Sequence, residues 1–121
     1  MGDRANVFVV EESEKPEVGV YLYTHWSGTE LPSTLQDALA RGKGRWSDGS
    51  YLARIIFSEM IKGEVMEETG YGISPYPQDG ENRILTVYVD KQVVSFGGKN
   101  WSFQEYIGIL DVADAVWRVG Q

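Results

Sequence analysis

The chain predicts an α+β fold: a single two-layer domain over residues 1–121, a mostly antiparallel sheet of about five strands with about three helices, in the order β-β-α-α-β-β-β-α. Three observations predict it. A length of 121 residues suffices for one ordinary core but not for two. Segments of two-residue alternation flank a central stretch whose apolar residues recur at intervals of three and four. Glycine and proline clusters separate these segments.

The first strand centres on Val7, Phe8, Val9 and Val10, apolar on both faces. EESEKPEVG then supplies charge, Pro16 and Gly19 for a loop. From Val20 to Trp26 the chain alternates, with Val20, Leu22, Thr24 and Trp26 on one face and Tyr21, Tyr23 and His25 on the other. The two strands are expected to form a hairpin. Pro32 suits a first helical turn, Leu35, Ala38 and Leu39 make a stripe, and Gly42 stops the helix. A second helix follows Ser47 or Asp48 as N-cap, with Leu52, Ile55, Ile56 and Met60 inward and Gly63 at its end. Its opposite face carries Arg54, Ser58 and Lys62 and is expected to meet water.

ETGYGISPYPQ, RILTVYVD and KQVVSF read as three further strands, forming a meander. The turn Gln78-Asp79-Gly80-Glu81 joins the first two, and a tight turn near Asp90 and Lys91 joins the last two. Past Gly97 and Gly98, Ser102 with Glu105 three residues on matches a capping box. Tyr106, Ile109 or Leu110, Ala113 and Trp117 continue one final helical stripe, which Gly108 weakens.

Composition removes several chemistries. There is no cysteine, hence no disulfide framework, thiol nucleophile or thiolate metal site. One histidine, His25, leaves little room for a zinc constellation. A formal charge of −7 disfavours duplex nucleic acid, whose affinity comes from cations displacing counterions. The apolar runs are too short for a membrane span, so a cytoplasmic protein without membrane partner is expected. Glu59, Glu64, Glu67 and Glu68 cluster without ordered ligand spacing; no metal and no cofactor are expected. Gly2 offers no side-chain nucleophile for an N-terminal-nucleophile hydrolase.

The segment from Arg41 to Arg54 is locally basic on an acidic chain, holding Arg41, Lys43, Arg45 and Arg54 of eleven basic residues, beside Trp46 and Tyr51. Gly42 and Gly44 would admit a ligand to the backbone, a helix N-terminus favours anions, and aromatic rings stack on bases. GKGRWS is not a Walker A loop, because neither its order nor a preceding strand fits. The bland alternative pairs the arginines with carboxylates and packs Trp46 into the core. His25 has a catalytic alternative as general base, with Ser27 or Thr29 nearby, weighed against a structural histidine at a strand end. Gly70 and Gly72 around Tyr71 mark a strand that twists or is closely approached. Trp26, Trp46, Trp101, Trp117 and seven tyrosines are many aromatic anchors for this length, so a homo-oligomer is also considered.

The blocks GDRANV (2–7), LYTHWSG (22–28), LP (31–32), RW (45–46), YLARIIFSEMI (51–61) and ETGYGIS (68–74) together resemble a family of small uncharacterised prokaryotic and phage proteins. The resemblance covers roughly the first three quarters of the chain and implies no activity. It implies that Arg4, His25, Trp26, Arg45, Trp46, Arg54 and Tyr71 gather in the fold. The leading expectation is therefore a non-enzymatic protein binding a small anionic or nucleotide-derived molecule. Arg4, Arg45 and Arg54 would hold it between the sheet and the second helix, and Trp26, Trp46 and Tyr71 would line the pocket. Were the gene a phage one, sequestering a nucleotide signal from host defence would be one use. The alternatives are a small hydrolase using His25 and an acidic module that binds a protein partner.

Overall fold

The computed structural model describes residues 3–78 and 83–119. Six strands form one sheet in the order β3-β2-β1-β4-β5-β6: β1 Ala5–Val10, β2 Val20–Thr24, β3 Tyr71–Ser74, β4 Ile84–Tyr88, β5 Val93–Phe96 and β6 Lys99–Ser102. Every neighbouring pair is antiparallel except the central one, β1 with β4, where Val7 lies beside Leu85 and Val9 beside Val87. The expected α+β class with a mostly antiparallel sheet is therefore found.

Alternation sorts the sheet into two faces. Ala5, Val7, Val9, Leu22, Leu85, Val87, Val89, Val94 and Trp101 point to the helices and form one core with them. α1 (Leu31–Arg41) contributes Leu31, Leu35, Ala38 and Leu39; α2 (Gly49–Met60) contributes Leu52, Ile55, Ile56 and Met60. Both stripes are the ones that three-and-four spacing picks out. Asp48 caps α2, its carboxylate accepting from the Tyr51 N–H at 3.3 Å. Beyond Met60 the chain turns through Gly63, whose φ of +82° is a left-handed conformation that glycine adopts without strain.

The count and order of elements differ from expectation in three places. The expected β3–β4 hairpin is absent, since β3 pairs with β2 and sits at the edge farthest from β4. Chain alternation specifies a strand's faces but not its partner. Of the turn assigned to this hairpin, Asp79, Gly80 and Glu81 lie outside the described residues. Its first residue is pinned across the helix-free face by Asn6: the Asn6 Nδ2 donates to the Gln78 carbonyl at 3.0 Å, and the Gln78 N–H donates to Asn6 Oδ1 at 3.2 Å. A sixth strand, β6, follows the Gly97-Gly98 turn, with Trp101 paired opposite Val94. The final helix is two pieces, α3 (Phe103–Ile107) and α4 (Val112–Trp117), broken at Gly108 and at Asp111, whose φ is +48°. Leu110 is consequently 91% exposed, and Val112 and Val116 take the buried positions.

The Ser102–Glu105 capping box is present with both reciprocal hydrogen bonds. Tyr106 locks α3 to α1: its fully buried hydroxyl donates to the Pro32 carbonyl at 2.9 Å, and Gln36 Nε2 donates to the carbonyls of Tyr106 and Ile109. Burial pushes the Tyr106 hydroxyl far above the ordinary phenolic range. No helix among the described residues is long and apolar enough to cross a membrane.

Candidate functional site

The seven residues singled out from sequence fall into two groups, one around the start of β1 and one on α2 and the turn before it. Arg4 precedes β1, and Gly28 fits so closely against it that an added Cβ would lie 2.7 Å from the Asp3 carbonyl oxygen. At the other end, Gly49 of α2 abuts the Glu11 side chain, just past β1. The six residues of β1 rise about 17 Å between the two. Among the described residues, the groove that Arg54 lines has neither Arg4 nor Arg45 in its wall.

The first group comprises Arg4, His25, Trp26 and Tyr71, with Ser27 and Thr29. The Asp3 N–H donates to the His25 carbonyl at 2.7 Å, and the His25 N–H donates to the Gly70 carbonyl at 2.8 Å. Gly70 lies against His25 and Trp26, where a Cβ would meet their side chains at 3.0–3.2 Å. The Tyr71 hydroxyl donates to Ser27 Oγ at 3.0 Å. The His25 ring stacks on Tyr23, centroids 5.1 Å apart, and its Nε2 is buried without a hydrogen-bond partner. That nitrogen therefore forms no hydrogen bond with Ser27 or Thr29. Trp26 is 62% exposed.

Asp3 and Arg83, which sequence reasoning passed over, and Trp117, which it read only as a helical-stripe residue and aromatic anchor, tie this end together. Arg83 Nη1 donates to Asp3 Oδ1 at 2.7 Å, and the Thr29 N–H donates to Asp3 Oδ2 at 2.9 Å. The Arg83 guanidinium lies 4.7 Å from the Trp117 ring, whose Nε1 donates to the Gly28 and Thr29 carbonyls. An Asp–Arg pair 80 positions apart leaves no local signal in the sequence.

Partial burial raises the Asp3 carboxyl, but the Arg83 and Thr29 hydrogen bonds outweigh it and hold the group below the usual range. Because the folded carboxyl titrates lower than the unfolded one, its stabilisation is complete above the unfolded value, about 4, and is lost as pH falls through the folded value. Asp90, held by Ser13, and Glu105, held by Ser102, are lowered as well. Thermal denaturation from pH 7 down to 2 should show stability flat above about pH 5 and falling below about pH 4. Asp3→Asn should lower the neutral-pH plateau and make that acid-side fall shallower; an unchanged slope would remove Asp3 from the account.

The second group lies at the start of α2 and in the 3-10 turn before it. Trp46 is structural: its Nε1 donates to the Leu39 carbonyl at 2.9 Å and its ring meets Phe103 edge-on, which is the core role weighed for it from sequence. The guanidinium groups of Arg45 and Arg54 lie 4.5 and 5.3 Å from the Tyr51 ring. Arg45 also reaches Asp48 at 4.0 Å, whereas Arg54 makes no ion pair among the described residues.

Arg54 stands at the rim of a groove of about 410 Å³ between α2 and the β2–β3 edge. Val20, Leu22 and Ile73 form its sheet side, Ala53 and Phe57 its helix side, and Ser50 and Ser58 share the rim with Arg54. Ile73 is 59% exposed there. A larger cleft of about 660 Å³ opens between α1 and α2, where Arg41 and Lys62 both pair with Glu59 at 3.0 and 3.3 Å. Among the described residues no three of His, Cys, Asp or Glu come together in a way that could hold a metal ion.

An α+β domain with one helix-covered sheet face and an apolar groove at the sheet edge is the class that this geometry defines. No protein-family model, curated protein or solved structure matches the chain.

Proposed function

We propose that the chain is a non-enzymatic binding protein whose site is the α2/β2–β3 groove. Its ligand is an anion with an apolar or aromatic body, a class that includes nucleotide-derived molecules. The observation that carries this reading is a guanidinium with no carboxylate partner among the described residues, on a largely apolar groove of a chain of net charge −7. Apolar clefts with a few placed polar groups are the usual form of small-molecule sites. The apolar wall supplies binding energy of roughly 25 cal/mol per Å² covered. Arg54, steadied by Tyr51, selects the charge.

The test is thermal denaturation with octyl phosphate, phenyl phosphate and adenosine monophosphate, with inorganic phosphate as the charge-only control. A ligand at a hundred times its Kd should add about 2.7 kcal/mol of stability. Mass analysis should recover it unchanged. Arg54→Gln should weaken binding on the order of tenfold, equivalent to about 1.4 kcal/mol, while leaving the ligand-free midpoint within a degree or two. Stabilisation by inorganic phosphate alone, or an Arg54→Gln protein that binds as well as the parent, would refute this assignment.

A further inference from the structure

The wall of the groove is itself an edge strand. β3 pairs with β2 on one side and with no strand on the other among the described residues. The hydrogen bond from the His25 N–H to the Gly70 carbonyl fixes which backbone groups face β2. In an antiparallel ladder these alternate, so Gly70, Gly72 and Ser74 point inward and the N–H and C=O of Tyr71 and Ile73 point outward, off the sheet. The side chain of Ile73 turns to the helix side and lines the groove. β3, with the sequence YGIS, bears no charge that would discourage pairing.

We infer that the groove takes an extended peptide segment of a partner protein, added as an antiparallel strand to β3. This deepens the binding assignment above and rests on it. The main chain of the peptide would bond to the outward groups of Ile73 and Tyr71. Side chains two positions apart share a face, so one apolar side chain would enter between Ile73 and Phe57 and an acidic one two residues away would reach Arg54. Main-chain pairing supplies affinity and the alternate side chains supply selectivity. A second copy of this chain fits less well, because its own β3 brings no carboxylate to Arg54.

The experiment uses the full chain and labelled peptides of the pattern Ac-GTETXTG-NH2, with X as V, I, L or F, because in an antiparallel strand the residue two before X lies on the Ser74 side of Ile73, toward the start of α2 and Arg54. Fluorescence anisotropy should show saturable binding for at least one. Moving the glutamate one position, to Ac-GTTEXTG-NH2, puts it on the opposite face and should weaken binding at least fivefold. N-methylation at X, which keeps every side chain and removes an N–H aimed at β3, should weaken it at least tenfold. Arg54→Gln should weaken the acidic peptide at least fivefold and bring the two phases closer together. On binding, the amide signals of Tyr71 and Ile73 should shift and exchange more slowly with solvent.

Binding indifferent to N-methylation would overturn strand addition. If octyl or phenyl phosphate binds and no peptide does, the groove assignment stands and the peptide falls. If neither binds, both fall. Concentration-dependent dimerisation that slows the Ile73 amide would make a second copy the occupant and equally overturn the proposal.

Discussion

Tyr106→Ala should destabilise the protein by about 3–5 kcal/mol, the range for removing a large buried aromatic side chain. Tyr106 is fully buried, meets Trp101 edge-on with centroids 6.0 Å apart, and its hydroxyl ties α3 to α1 through the Pro32 carbonyl. Two losses combine in the alanine variant: the cavity left by the ring and the orphaned carbonyl of Pro32. Tyr106→Phe separates them, since it keeps the ring and removes only the donor, and should lose about 1–2 kcal/mol. Urea denaturation of the three proteins checks both values through the midpoint at unchanged slope. Equal losses in the two variants would mean that the hydroxyl, not the ring, carries the contribution.

The second large effect is expected at Asn6. Its side chain is completely buried on the helix-free face and makes a two-point clamp on the Gln78 backbone. Asn6→Ala removes both hydrogen bonds and strands a donor and an acceptor, so a loss of about 2–3 kcal/mol is expected. The same change should speed hydrogen exchange at the Gln78 amide well beyond its effect on α1 or α2. Uniform acceleration across the molecule would show that Asn6 supports global stability without a local clamp.

Much of this architecture was legible locally. Leu52, Ile55, Ile56 and Met60, spaced for one helical face, are all buried, and Ser102 with Glu105 closes the capping box its spacing announces. Both depend on neighbours within one or two turns, where sequence separation and spatial contact coincide. What failed to show was long-range. Nothing in YGIS says that it prefers Leu22 to Leu85, since both offer an apolar face and a free edge. The long final stripe misled because a left-handed Asp111 rotates Leu110 outward and Val112 inward.

The candidate site divides in the same way. Arg54 was picked out by local basicity, and its exposure follows from the opposite face of α2 being the apolar, buried one. Arg4 was joined to it on resemblance alone, and it does not line the groove that Arg54 lines. Ile73, which completes the groove, was passed over, because an isoleucine in a strand signals core before it signals a rim. The outward N–H and C=O groups of β3 belong to every residue type, so no composition could have marked them.

The sheet order also bears on how the chain reaches this state. Strands β1, β2 and β3 form one contiguous trio and β4, β5 and β6 another, and the two meet along the β1–β4 seam. Asn6 and Ile84, partners in that seam, stand 78 positions apart (84 − 6), so zipping it closes a long loop before any contact rewards the ordering. Each trio can gain structure from nearer neighbours first, which makes the seam a late event. The Asn6→Ala protein should accordingly refold at nearly the parent's speed and come apart faster, because a contact made after the barrier weighs on the return journey.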